Sequence, residues 1–147
     1  MKIFEKDFRE FIELLNKNNV EYLLVGGYAL ALHGHIRATF DIDFWVNISI
    51  NNADKIIIVL KEFGFSSLDI KVSDFTDKGS VVQLGQPPFR IDIINDIDGL
   101  EFKECFEKRE IVEIEGLKIN LIDIESLKKN KLSTGRTKDK ADAEALE

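Results

Sequence analysis

The stretch LLVGGYALALHGHIRATFDIDFWV, from Leu23 to Val46, most constrains what this chain can fold into. Most of its residues belong in a core, yet two glycines, a His-Gly pair, an arginine and two aspartates interrupt them. The residues VEYLLV read as a strand, Gly26-Gly27 breaks it, YALALHG reads as a short helix closed by Gly34, and ATFDIDFWV alternates as a second strand. Residues two apart in a strand point to one face, about 6.6 Å apart. Asp41 and Asp43 therefore share a face, and Phe40, Ile42 and Phe44 share the other. Two carboxylates beside a core repel each other and are costly to desolvate, so the chain must bring something to compensate them.

The remaining sequence supplies one domain's worth of elements. Phe4, Phe8, Phe11, Ile12, Leu14 and Leu15 recur at helical spacing and stop before NKNN, and INNADKIIIVLKEFG reads as a second long helix ending at Gly64. A polar stretch runs from Ser66 to Gly79. After it, SVVQLG, FRIDII, REIVEIEG and LKINLID read as strands, the last two forming a hairpin across Gly116, and the tail from about residue 123 to 147 is helical with a break at Gly135. No repeat or linker interrupts this order. With 147 residues and 44% hydrophobic content, the expectation is one α+β domain, 1–147, built on a mixed β-sheet flanked by helices, with the C-terminal tail packed on the sheet.

Charge and cysteine content narrow the function classes. A net charge of −7 repels a phosphate backbone unless metal ions or a local basic patch intervene. The single cysteine, Cys105, leaves no disulfide within the chain and has no motif partner for nucleophilic catalysis. The N-terminal MKIFEKDFREFIELL has no apolar signal core, and no apolar run approaches the ~20 residues a membrane span needs. A reducing cytoplasm without membrane attachment is the expectation, and the sequon at Asn47 is a chance match.

A hard divalent cation with a preference for oxygen ligands, Mg²⁺ or Mn²⁺, would relieve Asp41 and Asp43. The pair alone is weak, since thirteen aspartates produce Asp-x-Asp by chance, as at Asp96 and Asp98. That second pair is no calcium loop, because the first and twelfth loop positions would be Ile94 and Cys105. Asp92 is a third acid, set within the apolar strand FRIDII, and would complete a metal cradle; an edge strand with its polar face in water also accounts for Asp92 taken alone. Gly26 and Gly27 offer bare backbone at a strand-to-helix turn, where a phosphate can approach free amides and the positive helix end, though a tight turn explains the pair equally. Arg37 and Thr39 stand ready to add a guanidinium fork and a hydroxyl to the same anion.

The order of these features, a strand, Gly-Gly, a short helix, Asp-x-Asp and a later single aspartate, resembles the DNA polymerase beta-like nucleotidyltransferase superfamily. The matching positions are Gly26, Gly27, Asp41, Asp43 and Asp92, with Gly27 where many members carry serine. The stretch VGGYALALHGHIRATFDIDFWV and the tail KKNKLSTGRTKDKADAEAL are most similar to small AbiEii-type toxin nucleotidyltransferases. The resemblance implies transfer of a nucleoside monophosphate from a nucleoside triphosphate to an acceptor, using two metal ions held by Asp41, Asp43 and Asp92, with Gly26 and Gly27 orienting the leaving phosphates. It also implies a possible antitoxin partner or a phage-defence role, with RNA, tRNA, a protein or a small molecule as acceptor.

Lys131, Arg136 and Lys138 form a tail cluster that either neutralises triphosphate or is solvated surface, the two readings carrying equal weight. Asp139 and Asp142 lie at helical spacing beside Lys138, and their place in the family tail implies a packing clamp on the active-site face, with their role left open. His33 and His35 suit a helix-end hydrogen bond better than a metal, and Trp45 and the phenylalanines suit the core better than base stacking. The main alternative is a non-catalytic relative that binds nucleotide or a partner in the same cleft. A metal-dependent phosphohydrolase fits less well, because Gly-Gly ahead of the acids suits triphosphate positioning.

Overall fold

A six-stranded mixed sheet in the order β3-β4-β2-β1-β6-β5 organises the chain. The structure is a computed structural model and describes residues 4–35, 39–65, 69–86 and 88–146. The strands are β1 (Tyr22–Val25), β2 (Asp41–Val46), β3 (Val81–Gln86), β4 (Phe89–Ile94), β5 (Glu110–Ile114) and β6 (Leu117–Leu121). The helices are α1 (Lys6–Lys17), α2 (Gly26–Leu32), α3 (Ile50–Phe63), α4 (Ser73–Thr76), α5 (Phe102–Glu107), α6 (Ile124–Ser133) and α7 (Thr137–Ala145).

The two central strands carry the core. Every residue of β1 is buried, and β2 buries Ile42, Phe44, Trp45 and Val46. On one face α1 presents Phe8, Phe11, Ile12 and Leu15, and the Phe11 ring lies 5.4 Å from Phe44 and 5.2 Å from Phe63 at the end of α3. On the other face Trp45, two residues beyond Asp43, meets Phe102 of α5 edge-on at 5.2 Å. Burying such aromatic side chains stabilises by roughly 1.5–3 kcal/mol each, enough to hold the central strands in register.

Local chemistry closes the elements. Ser49 caps α3 by accepting from the Asn52 amide, and Gly64 ends that helix at φ 106°, a left-handed conformation that favours glycine. The buried Asn52 ties α3 to the start of β1: its Oδ1 accepts from Glu21 N at 2.8 Å, and its Nδ2 donates to Glu21 O and Asn47 O. Asn95 does the same beyond β4, accepting from the Gly79 and Ser80 amides and donating to Phe75 O and Asp77 O. The β5–β6 hairpin turns through Glu115 and Gly116, both at positive φ, the geometry of a two-residue turn whose twist matches the strands.

The expected α+β architecture stands, with differences of detail. The polar Ser66–Gly79 stretch contains the short α4, which buries Phe75, and α5 follows β4, where the sequence has no helical repeat long enough to mark it. The second strand starts at Asp41, and Gly26 and Gly27 are the first residues of α2 itself. Two phenylalanines are not core: Phe40 and Phe89 are exposed at the lip of the sheet, facing each other across the starts of β2 and β4. Among the described residues no helix is long and apolar enough to cross a membrane.

Candidate functional site

Strand register builds the site. Strand β2 runs parallel to β4 with Asp41 beside Arg90 and Asp43 beside Asp92, so the three acids and the arginine share one face across two adjacent strands. Strand β1 runs antiparallel to β2 on its other side and ends with Val25 beside Asp43, which brings the next residue, Gly26, against that carboxylate. A Cβ on Gly26 would collide with Asp43 Oδ2, and Gly26 also has φ +72°. Only glycine satisfies both requirements. Gly27 is crowded from outside the helix: a Cβ there would lie 3.1 Å from Thr39 Oγ1 and 3.2 Å from Thr39 Cβ. Thr39 thus fills the space a serine at position 27 would need, and it places a hydroxyl there that donates to Asp41 O at 3.2 Å. Arg37 lies outside the described residues.

Electrostatics divide the acids. Arg90 bridges two of them, with Nε 2.9 Å from Asp92 Oδ1 and Nη2 2.9 Å from Asp41 Oδ2 and 3.2 Å from Asp92 Oδ2. Asp43 is pushed up to about 7, first by burial, then by the charge of Asp92, a hydrogen bond shared with Asp92 and the charge of Asp41; Lys131 pulls it partly back. Among the described residues no three acidic, histidine or cysteine side chains already stand as a preformed ligand set; Asp41 and Asp92 engage the guanidinium instead. The donor set of Asp41, Asp43 and Asp92 is all oxygen and carries a desolvated carboxylate in need of positive charge, the chemistry that suits Mg²⁺ or Mn²⁺.

The tail reaches this face through Lys131. Its ammonium is buried, 3.4 Å from Asp139 Oδ1 and 3.7 Å from Asp142 Oδ2, and is near enough to Asp43 to act on its titration. Burial raises the Asp139 carboxyl, but the Thr134 hydroxyl, Lys131 and Arg136 outweigh it and hold the group below its ordinary value. Arg136 Nε sits 2.7 Å from Asp139 Oδ2 with most of its side chain in solvent, and Lys138 is exposed on α7. Lys131 and Arg136 therefore converge on Asp139, and Lys131 also reaches Asp142. His35 Nε2 lies 3.6 Å from Asp142 Oδ1, while His33 Nε2 bonds the Ile122 carbonyl oxygen at 2.7 Å, a tie to the end of β6 and not to its own helix end.

Arg90 is the residue that sequence reasoning passed over. Its signal is the Arg-x-Asp spacing in FRIDII, which puts a cation on the face of Asp92 by the same alternation that exposes the acid. A groove of about 730 Å³ lies elsewhere, between α1 and the β5–β6 edge, lined by Asn16, Glu21, Arg109 and Lys118. It contains none of the clustered acids, so the chemistry argues for the carboxylate face over this groove.

Comparison with known proteins agrees with this fold. A family model described as a nucleotidyltransferase of unknown function (DUF6036) matches residues 5–147. A crystal structure from Thermotoga maritima, described as that of a candidate nucleotidyltransferase, aligns over 95% of this chain and 87% of its own at 21% identity, TM-score 0.64. An antigenic nucleotidyltransferase-like protein from Paracoccidioides brasiliensis aligns over 94% of this chain and 72% of its own at 19% identity, TM-score 0.56. At these identities the likeness establishes the fold alone. No curated protein sequence matches the chain.

Proposed function

The chain belongs to the nucleotidyltransferase family DUF6036, and from that premise we propose that it moves a nucleoside monophosphate from a nucleoside triphosphate to an acceptor nucleophile, using divalent metal at Asp41, Asp43 and Asp92. The observation that carries the reading is the row formed by Asp92 on β4, Asp43 on β2 and the bare backbone of Gly26 just beyond the end of β1. In the reaction the acceptor oxygen bonds to the α-phosphorus, the bond from that phosphorus to the bridging oxygen breaks, and pyrophosphate leaves. When bound, divalent ions supply Lewis-acid polarisation of the phosphate and a lowered pKa at the acceptor hydroxyl.

The chain's own residues divide the rest of the work. Gly26 and Gly27 open the first turn of α2, where Val25 supplies no side-chain cap, and this leaves backbone amides for the leaving phosphates. Thr39 offers its hydroxyl beside them, and Arg37 is the expected second donor. Asp92, on the strand farther from the glycines, faces the acceptor side. Lys131 moderates the negative charge on Asp43 from the tail. The acceptor belongs to RNA, tRNA, a protein or a small molecule, and a net charge of −7 requires any RNA to be gripped locally or through another subunit. The similarity of the tail to AbiEii-type toxins supports a role as the toxin of an antitoxin pair.

Purified protein incubated with each labelled triphosphate, Mg²⁺ or Mn²⁺ and cell extract is expected to transfer label to one class of macromolecule or small molecule. The Asp41→Ala, Asp43→Ala double variant is expected to transfer none. Equal labelling by both proteins would end the proposal, and triphosphate binding without transfer would favour the non-catalytic alternative.

A further inference from the structure

Four charges on one sheet face are already partly settled. Arg90 makes three contacts of 2.9–3.2 Å to Asp41 and Asp92, and this guanidinium joins the first acid of the Asp-x-Asp pair to the acid on the neighbouring strand. The fork geometry of arginine lets one side chain reach both carboxylates, which a lysine's point charge does not. These are the oxygens a divalent ion would need. The side chain is about one-third exposed, so it has room to move away without unpacking the core.

We propose that Arg90 is a resident counter-cation that competes with the metal for Asp41 and Asp92, so that metal entry displaces the guanidinium from both. The inference rests on the reading of these acids as metal ligands. It assigns Arg90 a positioning role: with no metal it keeps the β2 and β4 carboxylates paired despite their mutual repulsion, and on metal arrival it gives them up. Its place across β2 from the glycines leaves the released guanidinium on the acceptor side of the row, away from the leaving phosphates. A purely structural clamp between β2 and β4 would have the opposite effect on metal, because loss of the clamp would disorder the ligands and weaken binding.

Direct Mn²⁺ binding, by calorimetry or by the paramagnetic signal of the free ion, separates the two. A unit positive charge about 6 Å from a divalent ion, screened as in water, weakens binding about tenfold. Arg90→Gln is therefore expected to bind Mn²⁺ about tenfold more tightly than the native protein, and Arg90→Lys, which keeps the charge but reaches only one carboxylate, between the two. The native protein offers a second measurement that does not depend on the folding of a variant. The Nε–H resonance of Arg90, identified by its absence in Arg90→Lys, is expected to shift and saturate as diamagnetic Mg²⁺ is added. An Arg90→Gln protein that binds Mn²⁺ no more tightly, or an Nε–H signal indifferent to saturating Mg²⁺, would overturn this inference and leave the proposed function standing. If neither native protein nor variant binds Mn²⁺, both fall.

Discussion

Replacing Asp43 with asparagine is expected to make the metal-free protein more stable at alkaline pH and to abolish its response to Mg²⁺. The Asp43 carboxyl is raised from 3.8 to about 7, chiefly by burial and then by Asp92 and Asp41. An unfolded chain ionises this group near pH 4, while the folded protein holds its proton until about pH 7. Between those values the native state binds one proton more than the unfolded state, so stability falls as pH rises through this window and levels off above it. A difference of about three pH units at 1.36 kcal/mol each sets a ceiling of about 4 kcal/mol on the cost at pH 8. The asparagine side chain cannot ionise and keeps the shape and a donor toward Asp92, so its contribution is flat with pH. Thermal denaturation in chelator from pH 5 to 9 should show the two proteins diverging toward neutrality, with the variant melting higher at pH 8 by up to about 8–16 °C for a domain of this size. Mg²⁺ should restore the native protein at pH 8 and leave the variant unmoved, because the ion supplies the positive charge the ionised carboxylate lacks. Parallel pH profiles for the two proteins would refute the reasoning.

Two further outcomes test the surroundings of the acids. Gly27→Ser is expected to weaken triphosphate binding, because its Cβ would press on Thr39 at 3.1–3.2 Å, and Gly27→Ser with Thr39→Ala is expected to recover binding, the serine hydroxyl taking the place of the threonine's; titration calorimetry with triphosphate reads both, and additive losses would contradict the idea. Lys131→Met should cost about 3–5 kcal/mol by leaving Asp139 and Asp142 buried without their ammonium, measured by denaturant unfolding, with faster proteolysis of the tail after α6 as its local signature.

Much of the site can be read along the chain because its signals are local. The alternation of β2 assigns Asp41 and Asp43 to one face whatever else the chain does, and the same rule puts Arg90 with Asp92 on β4. Gly26 marks the turn into α2 because no other residue tolerates a positive φ there so cheaply. Short elements escape the same logic: α4 and α5 span about one turn each, too little for a helical period to declare itself. Phe40 and Phe89 read as core because their strand alternation matches that of Ile42 and Ile91, and only their place at the sheet's lip leaves them in solvent.

What the sequence determined by itself is therefore the inventory and its local aim: an α+β chain whose acids, glycines and arginine each point from a known side of a known element. What only the tertiary structure decided is which of them meet. The parallel pairing of β2 with β4 could have slipped by one residue and sent Asp92 to the opposite face from Asp43; burial of Ile42, Phe44, Ile91 and Ile93 under α1 and α3 selects the register that joins them. The same holds for the tail, whose lysine reads equally as a triphosphate contact or as solvated charge until α6 and α7 fold back and bury it between two aspartates. Side-chain direction follows from backbone geometry one residue at a time, whereas the partner of a charge depends on packing among residues far apart in sequence, and that packing is settled only when the whole core closes.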